Sequence, residues 1–380
     1  MRENENFWKS RQFWGGLAFP AILAFALYLL KFSSWVSEYI FARGITRWLT
    51  SILTWLTNWI PLSVAELLIY LLPVLLLGCV IYCIFRSTLR RWRNLALGIL
   101  SVVLWGLCLF ELLFVIQFGR VRLEKQLGYR TDHIAPQELY EAACEMRDYA
   151  AAMSNFISYT EEGYSVWPGC MGISDSNQEI LSHSYKNGFK ALNEDWDLPI
   201  YTDTVRPKTI LASEPFSYTG ILGVYIPFTG EANLNVAAPP FIVAVSAAHE
   251  QAHQKGYSRE DEANFLSILV CFADYNEYIN YSGALYAFRL LYNALYNTDK
   301  ELYYKLMADT PLLLKRELQY YNNWIRDHEN QVTTVMEQVN DAYLKVSGGE
   351  GTVSYSQAVE LLIGWYRMYY GEVEWTGTDI

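Results

Sequence analysis

Two histidines and a glutamate stand in the pattern His249-Glu250-Gln251-Ala252-His253, an HExxH spacing. Histidines four residues apart on a helix lie on one face about a turn apart, so both imidazoles can reach one zinc ion. The glutamate between them stands beside that ion as a general base, and a zinc peptidase needs these three groups first. The preceding run, residues 241 to 248, is apolar apart from Ser246 and holds no Gly or Pro, the composition of a helix buried in a core. Gly256 then offers a C-terminal stop.

A third ligand is wanted close by. Ser258-Arg259-Glu260-Asp261 has the S-x-x-[DE] form of a capping box, which predicts a second helix starting at Ser258 with Glu260 in its first turn. Asn264, four residues on, shares the face of Glu260, whereas Glu262 points to roughly the opposite side. The spacing therefore favours Glu260 over Glu262 as the third metal ligand.

These helices must be carried by the rest of the chain, which has 380 residues, 52% of them hydrophobic. That content is high for a soluble protein, and membrane spans account for it. Residues 1 to 118 hold ten Lys/Arg against five Asp/Glu; the remainder holds nineteen against thirty-five. The acidic second part argues against a nucleic-acid surface and for a self-repelling soluble domain. Three of the six cysteines, Cys79, Cys83 and Cys108, lie in apolar runs, and Cys144, Cys170 and Cys271 form neither a disulfide framework nor a CxxC site.

Three transmembrane helices are expected at about 13–30, 64–85 and 95–118, the first read as an uncleaved anchor. Between the first two, Trp48, Trp55 and Trp59 suggest a helix lying in the membrane interface. Glu66 is close to a span end, while Glu111 is deeper and shows no partner in the sequence. The expected organisation is a membrane domain over 1–118 and an extracytoplasmic domain over 119–380. The latter is expected to be α+β, mainly helical, with a small sheet.

In that second part, helices are predicted from Pro136 to about Ile157 and from about Ser176 to Leu192, with a loop at 166–172 whose Trp167 is a candidate cleft residue. Gly220 to Phe228 is strand-like, Thr229-Gly230 is a turn, and Glu231 to Val236 returns as a second strand. Pro227 marks a sheet edge, where unpaired backbone groups can add an extended peptide of any sequence. Tyr225, Glu231, Asn233 and Asn235 are thus candidates for substrate binding; a purely structural hairpin is the competing reading. A phenol that stabilises an oxyanion could come from Tyr355 or Tyr225. A further helix is expected from Thr310-Pro311 to about His328.

Taken together, Tyr225 to Asn235, His249 to Gly256, Arg259 to Phe265 and Asn340 to Lys345 resemble a family of bacterial membrane proteins known mainly as a domain of unknown function. The resemblance covers nearly the whole chain and implies three N-terminal spans followed by an outward zincin-like domain. More distantly, Arg259-Glu-Asp-Glu-Ala-Asn264 is similar to the RExEAD element of membrane gluzincin endopeptidases of the prenyl-protein and heat-shock type. In that element the first glutamate is a zinc ligand, implying Glu260 here, and the final aspartate supports a zinc histidine. This chain has Asn264 at that place, an amide that accepts a hydrogen bond but brings no charge. The gap from His253 to Glu260 is also shorter than in those peptidases.

The sequence therefore points to a membrane-anchored zinc metallopeptidase, with His249, His253 and Glu260 as ligands, Glu250 as base and a peptide or protein substrate. The alternative is a non-catalytic zinc-binding sensor or scaffold. Arg86, Arg90, Arg91 and Arg93 between the second and third apolar runs should stay in the cytoplasm, placing the N-terminus inside and residues after 118 outside. A reporter fused after residue 380 is expected to be active only outside the cytoplasm; activity inside overturns this topology.

Overall fold

The computed structural model describes residues 13–86, 88–166, 185–194, 198, 206–347 and 354–370. The chain divides into two compact units, Met1–Arg120 with Ile226–Glu231, and Val121–Tyr225 with Ala232–Ile380.

The first unit contains α1 (Trp14–Leu30), α2 (Val36–Ile45), α3 (Thr46–Asn58), α4 (Val64–Phe85) and α5 (Leu89–Leu113). Two stretches, Val64–Phe85 and Arg90–Gly119, are long and apolar enough to cross a membrane. Where the sequence suggests a first span, α1 is a shorter apolar helix. The apolar side chains of α4 point outward, with Ile69, Leu72 and Val74 exposed by 61%, 58% and 64%. A helix clad in exposed aliphatic side chains is not the core helix of a water-soluble fold.

The same inversion shapes α3. Its tryptophans, Trp48 and Trp55, face out with Trp59 just beyond, while Thr46, Thr50, Thr54 and Thr57 form a buried stripe at helical spacing. The stripe is knitted in by hydroxyl donors: Thr46 to the Leu112 carbonyl at 2.8 Å, Thr54 to Gly230 and Thr57 to Thr229, both at 3.2 Å. Arg120 grips the buried carboxylate of Glu38 through two nitrogens at 2.9 and 3.0 Å, and Arg43 adds a third contact at 2.9 Å. Glu111, for which the sequence offers no partner, has Lys31 as its charged neighbour.

Helix α4 begins with an unusual cap. Ser63 Oγ accepts from the Glu66 amide, and the carboxylate of Glu231 accepts from Val64 N at 3.1 Å and Ala65 N at 2.9 Å. Unsatisfied amides at a helix start attract an acceptor, and a negative one suits the positive end of the helix dipole. Glu66, near the same end, accepts from the Tyr70 hydroxyl at 2.8 Å.

In the second unit, α6 (Pro136–Met153) is followed by the short pair β1 (Ser158–Tyr159) and β2 (Ser165–Val166). A three-stranded sheet is formed by β3 (Lys208–Thr209), β4 (Gly223–Ile226) and β5 (Glu231–Leu234), in the order β3-β5-β4. β3 runs parallel to β5 with Lys208 opposite Asn233, and β4 is an edge strand. Next come α7 (Pro240–Gln254), α8 (Glu260–Phe272), α9 (Glu277–Thr298), α10 (Lys300–Asp309), α11 (Leu312–His328), α12 (Gln331–Ser347) and α13 (Ser354–Tyr370). α7, α8 and α9 pack mutually, with α6 against α9 and α13 against α8. α7 is apolar all round from Phe241 to Val245, each residue buried, which is the composition of a central helix. The tyrosine-rich stretch 274–297 supplies core: Tyr278, Tyr281, Tyr286 and Tyr292 are all buried. The loop containing Trp167 and Cys170 lies outside the described residues, as does the first part of the helix expected from Ser176; 185–194 are helical.

Replacing Glu231 with Ala leaves two helix-start amides without their acceptor. The full chain in detergent is expected to lose about 1–2 kcal/mol of stability in thermal unfolding, and Glu231→Gln less. An unchanged melting curve for Glu231→Ala overturns the capping role.

Candidate metal centre

The cluster is built by two helices and the tight return between them. Pro240 opens α7, where a missing amide costs nothing, and α7 ends at Gln254. Gly256 then adopts a φ of +94°, a backbone angle that side chains resist. α8 follows at once with Glu260 as its first residue. The expected Ser258 cap is not how this helix starts: Arg259 is the N-cap residue and makes no side-chain cap bond. Three consecutive acids, Glu260, Asp261 and Glu262, occupy the first turn instead, favoured there by the helix dipole.

A helix turns about 100° per residue, so three adjacent side chains leave in three directions. Asp261 pairs with Arg122 at 2.9 Å. Glu262 accepts from the Leu123 amide at 2.9 Å and from Arg259 at 3.3 Å. Glu260 alone turns to the histidines, its oxygens 3.3 Å from His249 Nε2 and 3.6 Å from His253 Nε2. Among the described residues, His249, His253 and Glu260 form the one group whose possible metal-ligating atoms all lie within 4.8 Å of one another.

Two further details suit a metal. The imidazole rings stand nearly perpendicular, 4.6 Å between centroids. His253 Nδ1 lies 2.7 Å from the Tyr257 carbonyl, which can only accept, so the ring donates there and presents Nε2 to the cluster. Burial alone would lower the pKa of His253, but the adjoining Glu260 carboxylate outweighs it and raises the value to about 9. Burial likewise works to raise Glu260, and the two histidines overcome it to hold that carboxyl well below its usual range.

Glu250 is buried beside them. Desolvation pushes its pKa up, opposed by His249, His253 and a hydrogen bond from the Tyr225 amide and reinforced by Glu260. The strand β4 runs directly over it: a Cβ on Gly223 would come within 2.8 Å of both Cγ and Oε1 of Glu250. Only glycine permits that approach. A glycine inside a strand signals such closeness, so Gly223 was accessible to sequence reasoning that passed over it. The Tyr257 carbonyl, being backbone, left no such signal.

The profile of a family described as a protein of unknown function (DUF3810) matches residues 41–363. The chain belongs to this family. No curated protein and no solved structure matches it. The matched span of the DUF3810 chain runs from α2 into α13 and so includes the hairpin, the cluster and Glu250.

The remaining candidates are placed differently. Glu231, Asn233 and Asn235 are exposed by only 1%, 2% and 0%. Glu231 caps α4, Asn233 donates to the Val224 carbonyl at 3.2 Å, and Asn235 bonds Ser217, Ile221 and the Ala237 amide. Glu231 is thus engaged with a helix start and Asn233 and Asn235 with their own hairpin, and polar groups that hold a turn look the same in sequence as groups facing a cleft. Tyr225 is buried, and its backbone amide serves Glu250. Asn264 accepts from the Tyr286 hydroxyl at 3.1 Å, its own Nδ2 without a partner. The polar partner of His253 Nδ1 is the Tyr257 carbonyl. The side chain of Tyr355 lies outside the described residues.

With a raised pKa, His253 is protonated at neutral pH when no metal is bound, and ligation requires its neutral form. The His253–Glu260 pair thus stabilises the metal-free fold fully between about pH 4.5 and 6.5, loses that effect as pH rises through about 9, and loses it at the acid end once Glu260 is protonated. Zinc uptake by the full chain is expected to release a proton near pH 7.5, and apparent affinity to climb by about tenfold per pH unit in that range. Calorimetry in two buffers of different ionisation enthalpy measures both; proton-independent binding overturns the assignment.

Proposed function

We propose that the chain is a membrane-anchored, zinc-dependent metallopeptidase of zincin-like, gluzincin type, which hydrolyses a peptide or protein at the outer face of the membrane. One observation carries this reading: two imidazoles and a carboxylate converge with their donor atoms within 4.8 Å, and a second, buried carboxylate stands beside them. A purely structural metal site needs no such second group. Zinc held by His249, His253 and Glu260 would polarise a scissile carbonyl and acidify a water.

Glu250 accepts the proton of the attacking water and delivers it to the departing amine. Its environment suits both halves of that task. Burial makes the carboxylate more basic than usual, so it takes a proton readily, while the nearby histidines and the Tyr225 amide keep the ionised form accessible. Gly223 lets the backbone of β4 lie against the base. An extended peptide that pairs with the edge of β4 would be carried past Glu250 with its carbonyls aligned, bound through backbone groups and therefore without a strong demand on sequence. Two long apolar helices fix the chain at a membrane, with the cysteine-poor acidic unit outside by the arginine cluster between them.

The test compares the full chain in detergent with its Glu250→Gln variant. Metal content and cleavage of a mixed peptide library are measured together. Both proteins are expected to hold zinc, and cleavage to fall by about 10²- to 10⁴-fold in the variant. Equal cleavage by the two removes Glu250 from the mechanism; zinc without cleavage in either favours a metal-binding scaffold; absence of zinc from both overturns the proposal.

A further inference from the structure

Away from the metal centre, α9, α10 and α11 line an open cleft of about 360 Å³. Arg289, Tyr292 and Tyr296 line it from α9, and Lys315, Gln319 and Asn322 from α11, in each case at spacings of three and four that place them on one helix face. Its volume lies within the range of about 300–1,000 Å³ usual for small-molecule sites.

The charges of this cavity are out of character with their surroundings. Residues 119 to 380 carry nineteen basic against thirty-five acidic side chains, yet the lining holds an arginine and a lysine and no acid. Arg289 Nε is buried without a hydrogen-bond partner, and the guanidinium lies over the Tyr321 ring at 4.9 Å. Among the described residues, Lys315 Nζ donates to the Ala308 carbonyl, at 3.4 Å. Arg289 thus lines the cleft as a cation whose Nε is sealed from solvent and whose guanidinium plane is stacked on an aromatic face, so the remaining guanidinium nitrogens are the ones that can meet a ligand. Around it stand phenol rings, which offer flat apolar faces with hydroxyl tips, and side-chain amides, which both donate and accept.

We propose that this cavity binds a small organic anion through its carboxylate. Arg289 takes the carboxylate with its planar fork and Lys315 adds a second positive charge. Tyr292 and Tyr296 cover the body of the ligand, and Gln319 and Asn322 bond its polar groups. The carboxylate could belong to an acidic sugar or to an acylated amino acid, and the neutral counterparts of each separate the two sources.

Binding to the full chain in detergent is measured calorimetrically with glucuronate, glucose, N-acetylphenylalanine, N-acetylphenylalanine amide and inorganic phosphate. At least one carboxylate is expected to bind at millimolar dissociation constant or tighter, with its neutral counterpart and phosphate at least about tenfold weaker. Whichever pair shows the difference identifies the source. Arg289→Gln and Lys315→Gln are each expected to weaken binding by about tenfold or more; should the first fail to fold, the second, at a half-buried position, decides. His253→Ala is expected to bind as the parent does. The proposal is overturned if neither carboxylate binds, if the neutral compounds or phosphate bind equally well, if Lys315→Gln is without effect, or if His253→Ala abolishes binding, which would place the anion at the metal centre.

Discussion

A carboxylate set between two imidazoles at the start of a buried helix constrains the whole second unit. For Glu260 to reach His249 and His253, α8 has to begin within a few residues of the end of α7 and fold back beside it. The return needs the positive φ of Gly256, and the two helices need neighbours on every side, because neither leaves a polar face for solvent. The acids following Glu260 add to the demand. Asp261 and Glu262 are buried in the same turn, and each requires its own answer, found in Arg122 and in the Leu123 amide. The segment just after the first unit is thereby tied to the head of α8. An unpaired carboxylate in that place would cost several kcal/mol, so the apolar helices and the polar pairs are fixed together rather than in turn.

How far this was legible depends on whether a residue acts through local geometry or across the chain. His249 and His253 are neighbours by helical spacing alone, and the separation of Glu260 from Glu262 follows from a fixed angle per residue. The hairpin of β4 and β5 announces itself through alternation and the Thr229-Gly230 turn. Partners supplied from afar were not legible. Glu231 caps α4 from 166 residues beyond Ala65, and Tyr286 bonds Asn264 from a different helix. Ser258 shows a different failure: its motif matches a cap, but Arg259 is the N-cap residue, and Asp261, which the box would turn back, is paired with Arg122.

The first unit reverses the usual relation between polarity and burial, which is why its helices can be counted in sequence more easily than their faces can be assigned. In α3 the threonines face inward and the tryptophans outward. A hydrophobic stripe in a water-soluble helix marks the core; here a weakly polar stripe does so, since hydroxyls can bond backbone carbonyls where apolar surroundings offer nothing else. The Lys31–Glu111 neighbourhood and the Glu38–Arg120 pair follow the same rule, with charges collected inside and apolar groups displayed.

In the metal-free cluster, a proton on His253 and a bound cation are equivalent in one respect: each puts positive charge between Glu260 and Glu250. Without either, two buried carboxylates would repel one another across neutral imidazoles. The raised pKa of His253 is the consequence, and it keeps the donors gathered when no ion holds them. Under the proposed zinc binding, arranging them would cost little, because the ordering has been met by the fold and the proton would leave as the cation entered. The same exchange explains the position of Glu250. It lies close enough to feel the positive charge, yet its hydrogen bond comes from the Tyr225 amide and its space is bounded by Gly223, so it stays at the side of the cluster and does not join it. A carboxylate held beside the cluster without joining it is the arrangement that the proposed proton transfer by Glu250 would require.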